Sequence, residues 1–88
     1  MMGEVRDRIM AKLTSAFAPS QLKVTDESAM HAGHAGAPEG GESHFHVQIV
    51  SEAFAGKSRL DRQRAVNAVL ADELAGPVHA LTMTVEAP

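Results

Sequence analysis

Apolar residues recur every four positions near the start of the chain, at Val5, Ile9, Leu13 and Phe17, with Met10 beside them. That spacing lays one apolar stripe along a helix over residues 2–17, and Pro19 prevents its continuation. Leu22 and Val24 then share one face of a short strand over residues 22–26. In residues 44–51, Phe45, Val47 and Ile49 alternate with His44, His46 and Gln48. Alternation of period two predicts a strand with the first set facing the helices and the second facing solvent. Ser58 is placed to cap a second helix, with Asp61 three residues later in the capping-box pattern. Val66, Val69, Leu70 and Leu74 give this helix a core stripe as far as about residue 75, where Gly76-Pro77 ends it. Residues 78–85 read as a last strand.

The element order is therefore α-β-β-α-β. The economical packing is an α/β (α+β) domain with a three-stranded mixed sheet and both helices on one face. At 88 residues the chain holds one domain, residues 1–88, and no repeat is visible. A domain of this size buries only about two thirds of the surface its unfolded chain exposes. It has room for one thin core and little for a deep active site. With three Phe and no Trp or Tyr, that core must come from aliphatic residues and Met.

The one long interruption of the apolar pattern, residues 28–41, contains Gly33, Gly36, Pro38, Gly40 and Gly41. A loop of this length in a compact domain is usually functional or disordered. It also contains His31-Ala32-Gly33-His34, two of the chain's five histidines. They are either solvated loop residues or a pair whose short flexible spacing lets both rings approach one ion. Neutral imidazole suits Zn, Cu, Fe or Ni. His44 and His46 are expected on the exposed sheet face. Alternation puts His79 with Leu81, Met83 and Val85 on the expected buried face. There it is either a hydrogen-bonded core residue or, at the strand's beginning, part of a site at the rim of the core.

Charge narrows the picture further. The net charge of −3 argues against a general nucleic-acid coat, because phosphate neutralisation dominates such affinity. Half of the eight Lys and Arg nevertheless cluster as Lys57, Arg59, Arg62 and Arg64 at the start of the second helix. Such a start suits an anion, an acidic surface or nucleic acid, or is simply a solvated helix end. The chain has no cysteine, which excludes disulfides and any self-sufficient thiolate metal site. No catalytic motif stands out, so a non-enzymatic role is expected. No apolar run approaches a membrane span. Residues 1–8 do not look like a signal peptide, which makes the cytoplasm the expected location.

Seven short stretches, in order, resemble the BolA family along nearly the whole chain. They are Asp26-Glu27-Ser28, His31-Ala32-Gly33-His34, Glu42-Ser43-His44-Phe45, Val50-Ser51, Phe54-x-Gly56-Lys57, Arg62-Gln63-Arg64 and Glu73-Leu74-x-Gly76-Pro77-Val78-His79-Ala80-Leu81. The resemblance implies a class II KH-like fold. It also implies a monothiol glutaredoxin as partner and a role in iron–sulfur cluster trafficking or iron sensing. It carries one cluster ligand to His79, in Val-His-Ala-Leu, and a second to His31, with His34 able to substitute. A [2Fe–2S] cluster needs four ligands, and clusters with two histidines and two thiolates exist. A glutaredoxin cysteine and glutathione would supply the thiolates. Alone, the protein is expected to be a monomer or weak homodimer.

Two departures from the family pattern stand out. The usual Arg-His-Arg is Arg62-Gln63-Arg64 here, and the chain ends at Pro88 where many members continue, so a partner contact made by such a tail would be missing. The competing implication is a DNA-binding transcriptional regulator. The basic cluster Lys57–Arg64 would then contact phosphate, weakly given the acidic net charge and the lack of stacking Tyr and Trp.

Overall fold

The structure is a computed structural model that describes residues 4–27 and 44–88. Helix α1 (Glu4–Phe17) buries Ile9 and Leu13 completely, one turn apart, while Val5, Met10 and Phe17 pack half-buried against the core. The helix ends with the Ala18 amide donating to the Thr14 carbonyl at 3.0 Å, and Ala18 takes a left-handed backbone (φ 42°). Pro19 then cannot extend it.

Strand β1 (Gln21–Asp26) runs antiparallel to β2 (His44–Val50), and β2 runs parallel to β3 (Ala80–Glu86) in the order β1-β2-β3. The sheet is thus three-stranded and mixed, as expected. Leu22, Val24, Phe45, Val47, Ile49, Leu81, Met83 and Val85 fall on one face by this register. Phe45, Val47 and Ile49 are fully buried there against Ile9, Leu13, Val66 and Leu70 of the helices. Leu74, Leu81 and Met83, also expected in the core, are half-buried at its margin.

The link after β2 contributes more than a connection. Ser51 is buried, donates to the Phe17 carbonyl at 2.6 Å and accepts the Ala53 amide, which caps a short 3-10 turn (Glu52–Phe54). That turn drives Phe54 into the core, with its ring centroid 4.7 Å from that of Phe17. Gly56 follows with φ 77°, a conformation that favours glycine.

Two expectations need correction. The second helix does not run unbroken to residue 75. It divides at Leu70 (φ −99°, ψ 18°) into α2 (Arg59–Val69) and α3 (Ala71–Ala75). Leu70 stays fully buried at the break, and α3 places Glu73 against α1. The last strand starts at Ala80 rather than Val78, because the residues before it belong to the turn that closes α3.

Candidate functional site

That turn positions His79. The Glu73 carbonyl accepts the amides of both Gly76 (3.2 Å) and Val78 (2.9 Å), so Val78 is held inward and buried. Gly76 suits the cap, since a side chain there would press on the Asp72 carbonyl, 3.3 Å from the Cβ position. The chain bends at His79 before pairing begins, and the imidazole is exposed. The buried placement expected from alternation is therefore wrong. Strand periodicity governs only residues inside the ladder, and His79 lies one residue outside it.

Glu73 holds this turn from a second direction. Its carboxylate is fully buried, yet Arg8 Nη2 lies 2.8 Å from Oε2 and Lys12 Nζ lies 2.9 Å from Oε1. Both cations come from α1 and remain partly exposed. Burial pushes the Glu73 carboxyl up, but the hydrogen bonds from Lys12, its own backbone amide and Arg8, with the Lys12 charge, outweigh it and hold the pKa below the ordinary 4.5. Among the described residues no buried side-chain polar atom lacks a partner. The carboxylate thus ties α3, and through it the His79 turn, to α1. In the sequence, Glu73 stands only as part of a motif. Its available signal was an acid on the core side of a helix, with Arg8 and Lys12 spaced one turn apart on another.

His79 stands at one end of the sheet. Ala80, the next residue, is partnered with His44, the first residue of β2. On the other side, the Glu27 amide donates to the His44 carbonyl at 2.7 Å, which extends the β1–β2 ladder one residue past Asp26. The segment 28–43 therefore leaves and re-enters the sheet at this rim. His31 and His34 belong to that segment and lie outside the described residues.

His44 and His46 stand on the sheet face away from the helices, half-buried rather than freely exposed. His46 Nδ1 is 2.7 Å from Thr82 Oγ1 on β3. Among the described residues, no three His, Cys, Asp or Glu side chains already converge on a point that could hold a metal ion.

The basic cluster is not uniform. Ser58 Oγ accepts the Asp61 amide at 3.1 Å, as the cap predicts. Arg62 reaches inward: Nε lies 3.1 Å from the carbonyls of both Phe54 and Lys57, and Nη1 is 3.3 Å from that of Val85. It laces the 3-10 turn, α2 and β3 together. Arg64 lies 3.8 Å from Asp61. Lys57 and Arg59 are exposed, and Arg59 borders a shallow hollow with Gln63, Met83 and Glu86. The cluster as a group is thus one half-buried brace, one surface ion pair and two outward cations. Among the described residues, no helix is long and apolar enough to cross a membrane.

Residues 13–88 match the family model for BolA-like protein. BolA-like protein 1 of Homo sapiens is 45% identical over 87 residues, covering 99% of this chain and 61% of the relative. The DNA-binding transcriptional regulator BolA of Vibrio cholerae is 49% identical over 79 residues, covering 90% and 71%. The BolA domain of SufE1 from Arabidopsis thaliana superposes with a TM-score of 0.87 at 41% identity, covering all of this chain and 96% of that one. The chain spans about three fifths of the length of the BolA-like protein 1 relatives it matches.

Proposed function

The chain belongs to the BolA-like family, and from that premise we propose that it acts as a non-enzymatic partner of a monothiol glutaredoxin, with which it co-ligates a [2Fe–2S] cluster for trafficking or iron sensing. His79 supplies one ligand and His31 the other, with His34 able to replace it. The observation that carries the reading is the shared rim. The segment bearing His31 and His34 is anchored at Glu27 and His44, and the residue after His79 is paired with His44.

The donor chemistry fits a shared cluster. The chain offers imidazoles and no thiol, so it suits half of a two-histidine, two-thiolate set, with the partner cysteine and glutathione completing it. A bound cluster would supply one-electron redox chemistry or a transferable cargo. This chain's own part is to hold imidazoles. His79 is exposed on a turn fixed by Glu73, and His31 and His34 belong to the segment between Glu27 and His44. Imidazole in place of thiolate raises the reduction potential of such a cluster.

The test is reconstitution. The protein is mixed with cluster-loaded monothiol glutaredoxin and glutathione, then followed by size-exclusion chromatography and visible circular dichroism. A 1:1 heterocomplex with a spectrum distinct from that of the glutaredoxin homodimer supports the reading. An unchanged glutaredoxin spectrum counts against it.

The name of the Vibrio relative favours a second reading, a DNA-binding regulator. The basic cluster gives it limited support, because Arg62 is engaged with backbone carbonyls, Arg64 faces Asp61 and the net charge is −3. A salt titration on duplex DNA separates the two: specific submicromolar binding near physiological salt would favour the regulator.

A further inference from the structure

The sheet face away from the helices carries a histidine pair that the proposed function does not use. His44 and His46 sit two apart on β2 and alternate with the buried Phe45 and Val47, so both imidazoles stand on the sheet face away from the helices. Same-face residues on a strand are spaced by roughly 7 Å. Two imidazole arms can close that distance onto one ion.

One neighbour makes the pair more than a spacing. His46 Nδ1 lies 2.7 Å from Thr82 Oγ1, its cross-strand partner on β3. In the tautomer where Nδ1–H donates to the hydroxyl, the lone pair sits on Nε2 at the ring's outer tip. A hydrogen bond of this kind from the second nitrogen is the usual way a metal-binding histidine is oriented. His44 has two ring nitrogens, so a neighbour can hold one while the other binds. The donors are two imidazole nitrogens, which borderline divalent ions accept. Among the described residues no third His, Cys, Asp or Glu side chain converges with them, so the two imidazoles form the chelate and water completes it.

We propose that His44 and His46 form a site for one divalent transition-metal ion of the zinc, nickel or copper(II) class, with Thr82 orienting His46. The site begins at the rim where His44 pairs with Ala80, but it uses neither His79 nor the loop histidines and does not depend on the cluster reading. The other histidines are first silenced in a His31→Ala, His34→Ala, His79→Ala background of the full chain. Zn²⁺ is then titrated in by calorimetry, with histidine side-chain NMR to locate it. The proposal requires one bound equivalent that shifts His44 and His46. Adding His46→Gln should weaken binding by at least about tenfold, and Thr82→Val by about tenfold, the usual loss on removing an orienting partner. Thr82→Val removes no ligand, so its effect reads orientation rather than donor count, and it keeps the question decidable should a histidine substitution disturb β2. Absence of binding in the triple background, or equal affinity in His46→Gln, would overturn the site.

Discussion

The amide of Val78 donates to the carbonyl of Glu73 at 2.9 Å, and the residue that follows Val78 is His79. One residue therefore sets the turn twice, through its carbonyl and through a buried carboxylate braced by Arg8 and Lys12. The brace is asymmetric, because the anion is fully buried while both cations reach solvent. Arg8→Ala combined with Lys12→Ala strands an unpaired buried carboxylate and should cost about 3–5 kcal/mol. Glu73→Gln leaves two cations that can rehydrate and should cost about 1–3 kcal/mol. Urea unfolding checks the order, and a larger loss for Glu73→Gln would contradict it.

Acid should release the same brace. The Glu73 carboxyl titrates below its ordinary 4.5 when folded, so its ionised form contributes stability fully above that value. The contribution is lost as pH falls through the folded pKa. Stability measured from pH 7 down to pH 3 should therefore decline more shallowly in Glu73→Gln than in the parent. Parallel profiles would show that Glu73 is not a principal acid-labile group.

At the end of α1, Ala18 holds a left-handed backbone that L-residues adopt at a cost. Ala18→Gly should remove that cost and raise stability by about 1 kcal/mol, offset in part by the freer unfolded chain. A thermal melt decides, and a lower midpoint would mean that the Ala18 conformation is not strained.

The loop histidines should act as alternatives. His31→Ala alone should weaken the cluster signature of the mixed complex in part, because His34 lies three residues away on the same segment. The double change with His34→Ala should approach complete loss. Full loss in the single variant would assign the ligand to His31 alone, and no loss in the double variant would remove the segment from the cluster site.

The sheet register was legible because Phe45, Val47 and Ile49 alternate strictly and a one-residue slip would bury His46 and Gln48 instead. The caps at Ser58 and Gly76 were legible from local chemistry. What escaped the sequence was long-range. Leu70 suits an unbroken helix by period, and no local signal marks it as the point where the helix divides. Arg62 reads as one cation of a surface cluster until its guanidinium is found among three backbone carbonyls. Alternation puts His79 on the buried face only when it is extended one residue beyond the ladder. The pairing of Glu73 with Arg8 and Lys12 spans more than sixty residues, and no local pattern encodes it. The predicted loop site at His31 and His34 lies outside the described residues.

The central claim is that His79 holds a shared cluster, and His79→Ala tests it most directly. The imidazole is exposed and outside the core, so the variant should fold with unchanged far-ultraviolet circular dichroism and an unfolding midpoint close to the parent. Mixed with cluster-loaded monothiol glutaredoxin and glutathione, it should fail to develop the visible circular dichroism of the heterocomplex, while His46→Ala, on the open sheet face, develops it fully. A His79→Ala protein that gave the parent spectrum, or one whose loss was matched by His46→Ala, would contradict the account.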